Sequence, residues 1–200
     1  MNNHNAHIKI ENNLKSNPCI DKLTDLEYLE HMIPHHQVAI DMSVLLQKHT
    51  SSDVMLNLCR EIIRIQSYEI FEMSKMKAYK DTLFTDDKWI KEKINTKLDT
   101  YNPILSKAKE GECNPLFFKP NDHSQHMKGM KLTDRSYLEH MIPHHQVAID
   151  MSRRLLLHTN NSYLLEFCRK LILEQQAEIL YMNNLLMNID FLYKSELLQN

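Results

Sequence analysis

From Thr24 onward, apolar and polar positions alternate with a helical period. Leu29, Ile33, His36, Ile40 and Val44 recur at spacings of three and four, the mark of one helix face. Thr24-Asp-Leu-Glu27 precedes this stripe and reads as a capping box, with the Thr hydroxyl accepting from an N3 amide while the Glu side chain reaches back. Pro34 falls inside the stripe. It removes one amide donor and crowds the carbonyl of Glu30, which costs about 3 kcal/mol in a straight helix. The stripe crosses Pro34 without slipping and Ile33 is a poor N-cap, so the pattern predicts a kink rather than a restart. His49-Thr-Ser-Ser-Asp53 reads as a turn. A second helix is predicted over about 53–82, with Met55, Cys59, Ile62, Gln66, Glu69, Met73 and Met76 on one face and Leu56, Ile63 and Ile70 beside it. Two long helices joined by a short turn make an antiparallel hairpin.

The same pattern then returns. Residues 28–43 and 137–152 both read YLEHMIPHHQVAIDMS, identical over sixteen positions. At the same separation, CREIIRIQSYEIFEM (59–73) aligns without a gap on CRKLILEQQAEILYM (168–182). This is an internal duplication. It predicts a helix over 134–158 capped by Thr133, a turn over 159–161 and a returning helix over 162–188.

The remaining stretches set the organisation. Residues 1–21 read as a flexible arm, 22–82 as the first hairpin, 83–130 as a linker, 131–188 as the second hairpin and 189–200 as a tail. The linker holds both glycines and three prolines, Pro103, Pro115 and Pro120. Within it, Trp89, Ile90, Ile94, Leu98 and Tyr101 predict one amphipathic helix over about 86–101. Each repeat spans only about sixty residues, marginal for a core of its own. The expected fold is therefore all-α, a four-helix bundle in which the two hairpins pack on each other with pseudo-twofold symmetry.

Composition narrows the function. At 42% hydrophobic and 25% charged, the chain is ordinary for a globular protein. A net charge of −2 gives no electrostatic case for nucleic acid or an anionic membrane. No apolar run is long enough to span a bilayer, and the N-terminus lacks the apolar stretch of a signal peptide. An intracellular, cytoplasmic protein is expected, with packaging into a viral particle as the alternative. Cys19, Cys59, Cys113 and Cys168 form no C-x-x-C pair, so a zinc ribbon is unsupported. Cys59 and Cys168 occupy equivalent helix positions and are expected as buried thiols.

The chemistry concentrates around the prolines. Met32, His35 and His36 lie within one turn, and Gln66, Glu69 and Met73 follow at spacings of three and four on the next helix. The repeat supplies Met141, His144, His145, Gln175, Glu178 and Met182. A buried Glu beside apolar residues is costly unless it is paired or metal-bound. Two explanations fit: imidazole paired with carboxylate as core packing, or a metal site repeated twice. Further His and Met side chains are available as auxiliary ligands: His31, Met42, His140, Met151 and the linker's His123, His126, Met127 and Met130. Thioether and imidazole together favour copper, Cu(I) first, with zinc or iron as alternatives. No Glu-x-x-His, H-E-x-x-H, G-x-S-x-G or P-loop is present, so di-iron oxidase, zincin, serine hydrolase and NTPase chemistry lack their signatures. For Asp41 and Asp150 the expected partners are Arg60, Arg64 or Arg169 on the returning helix, ahead of a role in orienting a histidine.

M-I-P-H-H-Q-x-A-I-D-M, followed by a helix carrying Gln-x-x-Glu-Ile-x-x-Met, resembles the domain of unknown function 305 family in both copies, over roughly 22–80 and 131–187. The resemblance implies a ferritin-like helical bundle and, in some members, copper binding. Carried over by position, it marks Met32, His35, His36, Asp41, Met42, Glu69 and Met73, with Met141, His144, His145, Asp150, Met151, Glu178 and Met182. The linker's Asp-His-Ser-Gln-His-Met-Lys-Gly-Met is similar to the His/Met-rich segments of that family.

The expected function is a metal-binding protein that buffers, sequesters or delivers copper through two pseudo-equivalent His/Met sites, and not an enzyme. The rival is a structural or interaction bundle whose histidines are packing. A metal ion is the expected partner, nucleic acid and membrane are not, and a homo-oligomer is the alternative to a single-chain bundle.

Overall fold

The computed structural model describes residues 24–79, 132–157 and 159–192. The N-terminal arm, the linker helix and the segment carrying His123, His126, Met127 and Met130 lie outside the described residues. Within them the fold is all-α. Helix α1 spans Asp25–Leu46, α2 Asp53–Ala78, α3 Asp134–Leu156, α4 Ser162–Met187 and the short α5 Ile189–Leu192. Helices α1 and α2 pack as one hairpin, α3 and α4 as the other, and α1 lies against α3.

Local chemistry sets the helix ends. Thr24 Oγ1 accepts from the Glu27 amide at 3.2 Å, and Glu27 Oε2 accepts from the Thr24 amide at 2.8 Å, closing the predicted capping box. In the second hairpin Thr133 and Ser136 form the same reciprocal pair. Ser52 caps α2, and Asn161 caps α4 through two amides. Pro34 and Pro143 each sit inside one uninterrupted helix, so neither forces a restart.

The buried face of α2 holds every residue of the predicted stripe, Met55, Cys59, Ile62, Gln66, Glu69, Met73 and Met76, with Leu58 in addition. The face predicted for α1 is displaced. Tyr28, Leu29, Met32, His35, His36, Ala39, Met42, Ser43 and Leu46 are buried, whereas Ile33 and Ile40 are half-buried and Val44 is 39% exposed. The reason is polar pairing across the hairpins. Tyr28 Oη and Ser152 Oγ lie 2.7 Å apart, and Tyr137 Oη and Ser43 Oγ also 2.7 Å. Ser43 donates to the carbonyl of Ala39, so Tyr137 is the donor in its pair. A stripe counted from apolar residues alone passes over serine and tyrosine, which here face inward because each finds a hydroxyl partner.

These two pairs are related by the repeat, and they show α1 and α3 running antiparallel across a pseudo-twofold axis. The same symmetry divides the core into two apolar clusters. One gathers Tyr28, Leu29, Met32, Met73 and Met76 with the later part of α3 and the start of α4. The other gathers Val38, Ala39, Met42, Leu46 and the start of α2 with Tyr137, Leu138, Met141, Met182 and Leu185. Between them, at the middle of the bundle, lies a layer of polar side chains.

Candidate metal centre

The layer is built from the repeated His-His pair and the returning helix. His35, His36, His144 and His145 are all buried, as are Gln66, Glu69 and Gln175. Consecutive residues on a helix diverge by about 100°, and each pair uses that divergence. His36 turns toward α2, where Nε2 lies 2.9 Å from Glu69 Oε2. His145 turns toward α4, with Nε2 2.7 Å from Glu178 Oε2. His35 and His144 turn toward the axis and stack on each other, ring centres 3.6 Å apart and planes 23° apart. Each stacked ring lies about 6 Å from its sequence neighbour, His35 to His36 at 6.0 Å and His144 to His145 at 6.2 Å.

The two sequence clusters thus form one continuous layer across the axis rather than two separated patches. Sequence periodicity placed the Glu opposite its own hairpin's histidine. It had no means of showing the contact between His35 and His144, which joins the repeats.

The hydrogen-bond pattern assigns chemical roles. A carboxylate only accepts, so His36 Nε2–H and His145 Nε2–H donate to Glu69 and Glu178. In a neutral imidazole this leaves Nδ1 as a lone pair, and in both residues Nδ1 is buried with no hydrogen-bond partner. A carboxylate that fixes the tautomer of a histidine is the arrangement found behind metal-binding imidazoles. Both ring nitrogens of His144 and both amide atoms of Gln66 and of Gln175 are likewise buried without a partner. Each such group costs about 1–3 kcal/mol if left unsatisfied. The layer therefore concentrates unpartnered polar atoms at the middle of the bundle.

Electrostatics keep the stacked pair neutral. Burial, then the neighbouring imidazoles, hold His35 and His144 well below the ordinary imidazole range. A neutral ring is the form that binds metal.

The other predicted ligands divide by location. Met32 and Met73 pack in the first apolar cluster and Met141 and Met182 in the second, flanking the layer. Met42 and Met151 are buried in opposite clusters, and His31 and His140 are half-buried at the margin, with the His140 ring 6.1 Å from His144. Asp41 and Asp150 do not meet the arginines expected of them. Asp41 accepts from Gln37 at 2.9 Å and Asp150 from Gln146 at 3.0 Å, each one turn away on its own helix. Arg60 and Arg64 turn instead to Asn57 and Glu61 on α2. Among the described residues, no three His, Cys, Asp or Glu side chains converge as a ready-made metal cage.

Cys59 and Cys168 are buried beside the tyrosine–serine pairs, and burial pushes both thiols up to about 12. They are core thiols, as equivalent positions in the two repeats suggested.

Solved structures of CopM share this architecture. CopM in its Ag-bound form superposes with a TM-score of 0.57 at 27% identity, covering 84% of this chain and 98% of that one. CopM in its Cu(I)-bound form gives 0.55 at 28% identity, covering 83% and 97%. The uncharacterized protein L153 of Acanthamoeba polyphaga mimivirus is 38% identical over 55 residues, which spans 28% of this chain and about a third (36%) of that protein. No helix among the described residues is long and apolar enough to cross a membrane. The domain-of-unknown-function family DUF305 matches residues 25–186, most of the chain and both hairpins, and the protein belongs to that family.

Proposed function

We propose that this protein binds copper in the buried histidine layer, and that it stores or hands on the metal rather than catalysing a reaction. The carrying observation is the pair of Nδ1 atoms of His36 and His145, each buried without a hydrogen-bond partner on a ring that is oriented by a glutamate of the returning helix. Glu69 and Glu178 then act by fixing their histidines. The likeness to CopM, which has been seen with Cu(I), Cu(II) and Ag, supports the choice of metal. Cu(I) is favoured on chemical grounds. Zinc asks for four ligands in a tetrahedron. A soft monovalent ion is content with two or three donors, here imidazole nitrogens with a methionine sulfur from the flanking clusters.

Anaerobic competition for Cu(I) against a colorimetric chelator tests this, with Zn(II) and Fe(II) as controls. Wild type is expected to withdraw copper from the chelator. The variant H35A/H36A/H144A/H145A is expected to lose that capacity, and H35N/H144N, which keeps polar side chains in the layer, to weaken it. Copper uptake unchanged in both variants overturns the proposal.

The rival reading, a purely structural bundle, draws on the same His36–Glu69 and His145–Glu178 pairs, which satisfy a packing role too. Thermal unfolding separates the two. A ligand specific to the folded state stabilises by about 2.7 kcal/mol at a hundred times its Kd, a rise of roughly 5–10 °C for a chain of this size. A Tm indifferent to copper favours the structural bundle.

A further inference from the structure

The histidine layer is covered unequally on its two sides. Glu69 is 2% exposed, whereas Glu178, its counterpart in the repeat, is 16% exposed. The residues around each carboxylate explain the difference. On the Glu69 side, Lys170 reaches from α4 to α2, with Nζ 4.0 Å from Glu72 Oε2 and 5.4 Å from the centre of the Tyr68 ring. Glu72 lies one turn after Glu69 on the same face of α2, so the reach of Lys170 ends beside the Glu69 carboxylate. At the repeat-equivalent positions stand Ala177 for Tyr68 and Glu61 for Lys170. Ala177 has only a methyl group and cannot spread over its neighbour. Glu61 is held along its own helix by Arg64 at 2.6 Å.

A third difference adds charge. Glu174 stands where the first repeat has Ile65. It lies one turn before Glu178 on the same face of α4. Burial first, then the carboxylates of Glu69, Glu178 and Glu72, push its carboxyl upward against the opposing pull of Lys170. Its Oε2 is buried with no hydrogen-bond partner. Directly behind Glu178 is His145, fully buried, bonded to it through Nε2 and with Nδ1 unpartnered. Gln175, 2% exposed, adds an amide with neither atom bonded.

We propose that the opening over Glu178, flanked by Glu174 and left uncovered by Ala177, is the port through which a metal cation reaches the buried histidines, and that Lys170 and Tyr68 close the equivalent route at Glu69. This rests on the reading that the layer binds metal. Among the described residues, the duplication thus leaves two equivalent binding halves with one open route. A carboxylate-lined mouth with low-dielectric walls concentrates cations and raises their rate of arrival, while a lysine over the other side repels them. Salt should weaken that steering.

Uptake kinetics test the port separately from binding. Cu(I) transfer from a coloured chelate is followed by stopped flow on the full chain, and final stoichiometry and affinity are read from the same samples. The double variant E61K/A177Y installs the first repeat's cover over Glu178 and is expected to slow uptake by about tenfold, with stoichiometry unchanged. E174I removes only the charge. It is expected to slow uptake at low ionic strength and to match wild type at high salt. Y68A/K170E uncovers Glu69 and is expected to speed uptake. Wild-type rates in both E61K/A177Y and E174I overturn the port while leaving the binding reading intact. Should E61K/A177Y not fold, E174I and its salt dependence decide the matter alone. A wild-type protein that takes up no copper overturns both.

Discussion

Lowering the pH of the metal-free protein should weaken it through two specific residues. His35 and His144 are buried against each other, and burial followed by neighbouring imidazoles holds both well below the ordinary imidazole range. In the unfolded chain each titrates near pH 6.5. Between that value and the depressed folded one, the unfolded state binds more protons. Stability from the neutral pair is therefore complete above about pH 6.5 and is lost as the pH falls. Each imidazole contributes a slope approaching about 1.4 kcal/mol per pH unit, and the pair about 2.7. From pH 7 to pH 5.5 the loss is on the order of 2 kcal/mol, because the slope is shallow near the unfolded pKa. That is a large part of the 5–15 kcal/mol by which domains are usually stable. The assay is urea unfolding followed by circular dichroism over a pH series, with metal chelated away. H35F/H144F keeps two stacked rings and removes the titrating nitrogens. The raised Glu174 carboxyl acts with the opposite sign and is common to both proteins, so the difference between them isolates the imidazoles. Wild type should lose more stability across this window than the variant does. A level wild type, or an equal slope in the variant, refutes the reasoning.

Three further outcomes follow from particular contacts. Y28F removes one of the two hydroxyl pairs that join the hairpins and should cost about 1 kcal/mol in chemical denaturation, with Y137F similar or smaller because Ser43 keeps its bond to the Ala39 carbonyl. E69Q should destabilise the metal-free fold more than E178Q, by about 1–3 kcal/mol against less, because Glu69 is the more deeply buried partner; equal Tm losses contradict this. Cys59 and Cys168, buried and with thiols pushed up to about 12, should resist iodoacetamide at pH 8 in the folded protein and react once urea unfolds it; rapid labelling of either by mass spectrometry in the native state contradicts this.

Much of this protein is written locally. Helix ends follow from Thr24, Ser52, Thr133 and Asn161, because capping depends on residues within one turn. The buried face of α2 follows from a period of 3.6, and the placement of Glu69 and Glu178 opposite their histidines follows from hairpin geometry. The repeated sixteen residues announced that whatever the first half builds, the second builds again. Tertiary structure decided the rest. Which face of α1 turns inward depended on hydroxyl partners 94 and 124 residues away, and no local count of apolar positions senses those. The stacking of His35 on His144 arises only when two antiparallel copies cross at a symmetry axis, and it turns two expected patches into one layer. The inequality of the two sides was visible in the sequence as Ala177 for Tyr68 and Glu174 for Ile65. It acquired a physical meaning only when the fold laid Lys170 beside one carboxylate and left the other partly open to solvent.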